Sequence, residues 1–343
     1  MQLSRYIDKN KLTMHVLRGL VRVNTHPNKS IPLELYCYDR KAVYDNIWDD
    51  VTTRCRGLIV NTETDEIVSR PFEKFFERDW PGQENTLERQ VTLSCEYGPP
   101  TISEKINGCL GIFWKYGIHW GIASKGSFSS PHAKWATEWM ENHINSYGQL
   151  VFPDGYTPVF EIICQEVQPH CIKYAFDGLV LLALIKNDTG EELPHHDMAR
   201  YAIRNGLNFA MSYPITFAQA LEDREGHEGY VATYHIPGKA PLKLKIKHES
   251  FKVARKKFYA DIELAKINTP VTSEMYETVR KHVGELVKQA LVKFTLRREF
   301  AAFFNLPENK VYAPACFAMM DTDSPGKHSD AIWKVVANLR SGA

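Results

Sequence analysis

Between Pro241 and His248 the chain alternates without a break: Leu242, Leu244 and Ile246 are aliphatic, while Lys243, Lys245 and Lys247 are lysines. Side chains of a strand point to opposite faces with a period of two. The segment therefore demands a strand that buries its aliphatics and gathers three ammonium groups on the other face. Like charges about 7 Å apart along a strand repel one another. Either the lysines protect a sheet edge, or an anion sits among them. The strand alone leaves both readings open.

The rest of the chain supplies sheets for it to join. GYVATYH (229–235) precedes it across a Pro-Gly turn and reads as its partner strand. TISEK (101–105) is extended, and Leu110, Ile112, Trp114 and Tyr116 alternate before Gly117 and a returning HWGIASKG. TPVFEIIC (157–164) and GLVLLALI (178–185) are short apolar runs suited to buried strands. Helical spacing over 132–146, in Ala136, Trp139, Met140, His143 and Ile144, and over HDMARYAIRNGL (196–207), places helices between them. After about residue 249 the pattern changes. Met275, Val279, Val283, Leu286, Ala290 and Phe294 mark a long amphipathic helix, and a further helix is predicted from Asp330 to Leu339. The expected fold class is α+β, with a strand-rich domain over 1–248 and an all-helical domain over 249–343.

Composition excludes several classes. A net charge of +1 means that any affinity for nucleic acid must come from local clustering. No apolar run approaches the roughly 20 residues that span a bilayer, and MQLSRYIDKNKL is too polar for a signal-peptide core. The seven cysteines never form a CxxC pair, which reads as reduced thiols in a cytoplasmic setting without a zinc site. Neither a GxxxxGK[ST] loop nor a GxGxxG after a strand occurs. His195, His196 and Asp197 read as a solvated helix start.

Chemistry concentrates elsewhere. SEKINGCLG (103–111) brings Glu104, Lys105 and Asn107 into a turn at Gly108. Glu161 interrupts an apolar strand, where an ionised carboxylate costs several kcal/mol unless a polar partner meets it. Glu228 opens the strand that pairs with the lysine ladder, and Arg56 and Lys74 lie in the basic, aromatic stretches RCRGLIV and SRPFEKFFE. These parts suit a nucleoside triphosphate site built from cationic side chains. An attacking amine must be neutral although its free pKa is near 10.4. Neighbouring cations and a bound metal depress that value, so a ladder facing Lys105 would prepare a nucleophile. The same cations would stabilise the phosphoryl oxygens and the departing pyrophosphate.

The order of these motifs resembles the covalent nucleotidyltransferases, the ATP-dependent ligases and mRNA capping enzymes with the motif KxDG, and within them the phage-type RNA ligase 1 family. KINGCL, SKGS (124–127), FEII (160–163), EGYV (228–231) and LKIK (244–247) match five ordered motifs, and CRGLIV and RPFEKFF match the pair upstream. The resemblance covers about residues 35 to 250. It implies an antiparallel-sheet, ATP-grasp-like nucleotidyltransferase domain followed by the helical domain. It implies that Lys105 forms a lysyl-AMP with ATP, with Mg2+ or Mn2+ as cofactor. By the same resemblance Arg56 and Lys74 contact ATP phosphates or the RNA end, and Phe76 shapes the nucleotide pocket together with Glu104, Asn107 and Gly108. Glu161 holds the ribose hydroxyls and is counted as a second metal candidate. Glu228 positions the metal, and Lys245 and Lys247 grip the α-phosphate. Lys125 and Gly126 match a position needed for activity, and Tyr38, with Tyr36 as the alternative, lines the ATP site.

Asn107 departs from the family's aspartate, and Leu110 replaces the arginine usual after the motif in DNA ligases. The implied partner is RNA with 5′-phosphate and 3′-hydroxyl ends, such as a nicked tRNA in RNA repair. The sequence leaves open whether a separate kinase and phosphatase prepare those ends. From Lys243 to Lys257 seven of fifteen residues are basic and one is acidic, a run that could track an RNA backbone. The competing expectations are a capping-type guanylyltransferase using GTP, and a non-catalytic RNA-binding protein with a decayed site.

Overall fold

The lysine-bearing segment is a strand, Leu242–Lys247, and it has a neighbour on each side. In this computed structural model, which describes all residues except 78–86, 149, 269–272, 322–324 and 342–343, its sheet runs in the order Ser212–Tyr213, Thr101–Glu104, Gly229–Tyr234, Leu242–Lys247 and Phe76–Glu77. Gly229–Tyr234 pairs antiparallel with the ladder, Val231 opposite Lys245, and with Thr101–Glu104 on its other side. Ile102, Tyr230, Ala232, Leu244 and Ile246 form the buried face, covered by Ala220 of the short helix Phe217–Ala220. Leu242, expected in that core, is 38% exposed because it lies at the open end of the strand.

The second sheet has the order Asn208–Phe209, Gly178–Lys186, Tyr156–Ile163, Cys109–Tyr116 and His119–Ser124. Both of its faces are buried. Ile112, Trp114, Val159 and Ala183 pack against Leu33, Leu35 and Ile59 of a third, four-stranded sheet. Phe160, Ile162, Leu179 and Leu181 pack against Ala136 and Met140 of the helix Pro131–Tyr147 and Met198 and Ala202 of the helix His195–Arg204. Burial on two sides is why GLVLLALI reads as an unbroken apolar run and PVFEII as one broken only at Glu161. The third sheet is a meander, Val21–Thr25, Leu33–Tyr38, Arg56–Asn61 and Glu66–Ser69, antiparallel throughout.

The expectation of antiparallel sheets needs one amendment. Phe76–Glu77 and Asn208–Phe209 join their sheets parallel. Both are two residues long, too short to carry a readable period.

Residues 1–255 form one compact unit and residues 256–343 a second. The helix Glu249–Asn268 runs through the division. In the second unit the helices Ser273–Lys293, Arg297–Phe304, Ala313–Asp321 and Pro325–Ser341 surround a core of Val279, Val283, Leu286, Ala290, Phe300, Phe304, Cys316, Ile332 and Val335. No helix among the described residues is long and apolar enough to cross a membrane.

Candidate active site

Lys105 follows the strand Thr101–Glu104, and its backbone N–H still donates to the Gly229 carbonyl at 3.0 Å. Gly229 has φ +133°, and a Cβ there would stand 2.0 Å from the Ile246 carbonyl oxygen, so only glycine fits. With the Lys105 N–H bonded to the Gly229 carbonyl, the preceding Glu228 lies within reach of the lysine. Lys105 Nζ and Glu228 Oε1 are 2.8 Å apart, and the two side chains are 18% and 6% exposed. The other carboxylate oxygen, Oε2, accepts from Asn107 Nδ2 at 2.9 Å. The amide orientation is fixed from the far side, where Asn107 Oδ1 accepts from the Ile172 N–H at 3.4 Å. The backbone N–H of Asn107 donates to the Tyr174 hydroxyl at 2.8 Å.

Next in the turn, the Gly108 N–H donates to Glu161 Oε1 at 3.0 Å. A Cβ at Gly108 would meet the Ile162 carbonyl at 2.5 Å. Glu161 keeps an edge toward the cavity but is otherwise surrounded by protein. Burial pushes its carboxyl up to about 7; the Lys105 ammonium pulls it back and the Glu228 carboxylate pushes it further. Glu104 points toward Tyr213 Oη and His227 Nδ1, each 3.5 Å away.

Glu104, Lys105, Gly108 and Glu161 border a cavity of about 750 Å³. On another wall, Arg56 and Lys245 share one aromatic ring: the guanidinium carbon lies 5.8 Å and the ammonium 4.6 Å from the centre of Phe75. Burial pushes the Lys245 amine down to about 6, and Arg56, Lys74, Lys105 and Lys247 all push the same way. Arg56 Nη1 is buried without a hydrogen-bond partner among the described residues. Lys125 projects from the turn after His119–Ser124, with Nζ 3.4 Å from the Tyr38 hydroxyl and 4.6 Å from its ring centre. Lys74 lies over Phe76 at 4.5 Å and Trp48 at 5.1 Å, and burial pushes its amine down to about 8. It lines an adjoining cavity of about 480 Å³ that shares Phe72, Phe75 and Lys243 with the first.

The three lysines of the ladder share a face but not a fate. Lys243 is neutralised by Glu192 at 2.8 Å and donates to Thr233 Oγ1 at 3.1 Å. Lys247 pairs with Glu77 at 2.5 Å. Lys245 alone of the three stays among cations. Since Phe76–Glu77 pairs with Leu244 and Lys245 on the far side of the strand, edge protection does not account for Lys245.

A family model described as RNA ligase matches residues 54–240, more than half of the chain. The chain belongs to the RNA ligase family. RNA ligase 1 of bacteriophage TS2126 is 28% identical over 192 residues, 52% of this chain and 47% of that protein. A protein of Thermovibrio ammonificans provisionally designated an RNA ligase is 25% identical over 205 residues, 56% of this chain and 50% of its own. This RNA ligase family chain thus matches about half the length of these relatives. A solved structure from Aquifex aeolicus, provisionally designated an ATP-dependent DNA ligase, aligns over 97% of this chain and 99% of its own with a TM-score of 0.50. At 13% identity that likeness concerns the fold alone.

In this RNA ligase family chain, Glu104, Lys105, Gly108, Arg56, Lys125, Gly126, Glu161 and Lys245 line one cavity. Asn107 and Glu228 stand directly behind Lys105, and Tyr38 stands behind Lys125. Lys74 and Phe76 belong to the adjoining cavity, and Lys247 is turned to Glu77. Among the described residues no three His, Cys, Asp or Glu side chains converge as a metal cage. Sequence reasoning missed Tyr174, Ile172 and Trp48. Trp48 meets Tyr38 and Phe76 edge-on at 5.1 and 5.4 Å, and only its aromatic type was visible beforehand.

Proposed function

We propose that the chain is an ATP-dependent RNA ligase working through a lysyl-AMP and an RNA-adenylate. The observation that carries this reading is the Lys105–Glu228 pair at 2.8 Å on a cavity whose other wall holds Arg56 and Lys245. Glu228 is the nearest carboxylate to take the proton that Lys105 must shed. The freed Nζ attacks the α-phosphorus of ATP, an N–P bond forms, and the bond to pyrophosphate breaks. Arg56 and Lys245 face the departing charge; Lys245, neutral above about pH 6, becomes a full cation when the anion enters. Glu161, accepting from the Gly108 N–H, offers its second oxygen to the ribose hydroxyls. The 5′-phosphate of RNA then takes AMP from Lys105, and the RNA 3′-hydroxyl displaces AMP to close the phosphodiester.

A bound Mg2+ or Mn2+ would supply charge neutralisation on the phosphoryl oxygens. Glu228 and Glu161 fit as its holders, because Mg2+ takes one or two carboxylates together with substrate phosphates and waters. Lys74, Phe76, Tyr38 and Lys125 form the rim where the triphosphate tail or the RNA end would lie, and Lys247, held by Glu77, is available to the α-phosphate once that pair opens. The helical unit is assigned the selection of a structured RNA such as a nicked tRNA, approached over the basic stretch 243–257, with repair in a reducing cytoplasm as the setting.

Intact mass after incubation with ATP or GTP tests the reading. The expected result is the addition of one AMP from ATP, absent in Lys105→Ala. An adduct formed only with GTP would make the protein a guanylyltransferase, and no adduct with either would end the covalent mechanism.

A further inference from the structure

The turn that carries Lys105 is held from outside its own sheet, by a segment that the steps above do not use. Residues 164–177 connect the strands Tyr156–Ile163 and Gly178–Lys186. Two of its groups grasp Asn107: the Tyr174 hydroxyl accepts the Asn107 backbone N–H at 2.8 Å, and the Ile172 N–H donates to Asn107 Oδ1 at 3.4 Å. Tyr174 is itself anchored. It packs against the cluster of Ile106, Ile163, Val180 and Ala210, and its carbonyl accepts from Gln165 Nε2 at 3.2 Å. Burial raises the pKa of its hydroxyl; the bond from the Asn107 N–H acts against this, and the carboxylates Glu104, Glu161 and Glu228 add to it.

The links run in series. Tyr174 fixes the backbone of Asn107, the Asn107 amide fixes Glu228 Oε2, and Glu228 Oε1 holds Lys105 Nζ. An amide at 107 closes this circuit because it offers an acceptor to Ile172 and a donor to Glu228. A carboxylate would serve Ile172 equally well but would set a second anion against Glu228. We propose that Tyr174 is a positioning residue for the attack of Lys105, acting through Asn107, and that asparagine stands at 107 because the Tyr174–Glu228 circuit requires an amide.

The inference rests on the lysyl-nucleotide reading, and its test separates the two. Single-turnover formation of the ATP adduct is measured beside the joining of an RNA strand already adenylated at its 5′ end, a step in which Lys105 does not attack. Tyr174→Phe keeps the ring and removes one oxygen. At saturating ATP its adduct formation is expected to fall about tenfold, the loss of one hydrogen bond to a reacting turn. KM for ATP and the joining of the adenylated strand are expected to stay within about twofold of wild type. Asn107→Asp is expected to slow adduct formation too, and for that step the double variant is expected to be less than additive because both changes break one circuit. Adduct formation at the wild-type rate in Tyr174→Phe overturns the inference. So does an equal loss of both steps with a lowered thermal midpoint, which would make Tyr174 a packing residue only. Wild-type protein that forms no adduct overturns the parent reading instead.

Discussion

Lys243 and Lys245 stand two residues apart on one face of one strand, yet their surroundings are opposites. Lys243 lies against Glu192 with both side chains about a tenth exposed, at 11% and 8%, so its charge is matched inside the protein. Lys245 faces an aromatic ring that it shares with Arg56, and the charges that weigh most on it are the cations Arg56, Lys74, Lys105 and Lys247. The first arrangement holds the fold together. The second works against the charged form of Lys245, which burial and its neighbours push toward losing its proton. A row of identical residues therefore divides into a part matched within the fold and a part proposed for binding, and the division is made by groups brought in from other parts of the chain, Glu192 beside Lys243 and Arg56 beside Lys245.

The largest effect comes from emptying the opposite wall: Lys105→Ala is expected to abolish the ATP adduct, read by intact mass, without loss of folding. The comparison itself is tested by a pair of substitutions. Lys245→Met is expected to slow adduct formation by about 10²–10³-fold, as for other groups aimed at developing charge. It should also raise the thermal midpoint by about 3–6 °C, because it removes a buried amine that must give up its proton on folding. Lys243→Met should do the reverse. It leaves Glu192 buried and unpaired, which is expected to cost about 2–4 kcal/mol in denaturant unfolding while changing adduct formation by less than about fivefold. If both variants lost activity and stability together, the two lysines would not differ in role.

A pH series sharpens the same contrast. Free Lys245 titrates near 6, below its ordinary range, so between about 6 and 10.5 the folded chain binds fewer protons there than the unfolded chain. Stability from this group therefore rises with pH in that window and is lost as pH falls toward 6. Nucleotide affinity runs the other way. A triphosphate bound as proposed would restore the charge on Lys245, so binding is expected to take up a proton above about pH 6 and to weaken as pH rises. Calorimetry in two buffers of different ionisation heat checks this, and Lys245→Met should abolish the buffer dependence. The smallest effect is expected from Glu77→Gln, whose pair with Lys247 is a third exposed on the glutamate side, at 35%, and should change stability by no more than about 1 kcal/mol.

Much of the fold was legible because period and burial agree. The ladder's alternation, the apolar runs that became doubly covered strands, and the helical spacing from Met275 onward each follow from local sequence. The candidate site was legible where charge violated its surroundings: a glutamate in an apolar strand at 161, and lysines side by side on one face at 243–247. Pairings across the chain were not. Glu192 gives no local sign that it will neutralise Lys243, and Tyr174 reaches Asn107 across 67 residues through a single hydroxyl. Nor could two-residue strands such as Phe76–Glu77 announce a parallel partner, since pairing direction there is set by where the connecting chain enters.

Gly229 carries one further consequence. The distance between the strand that begins after Glu228 and the strand that bears the lysines is set by an atom that is missing: a single methyl group at 229 would have to occupy the Ile246 carbonyl. The narrowest clearance at this site is thus a gauge block between its carboxylate and its cations. A saturation scan of this segment should find no substitute at 229, and the nearest replacement, Ala, should displace Glu228 from Lys105 before it unfolds the sheet.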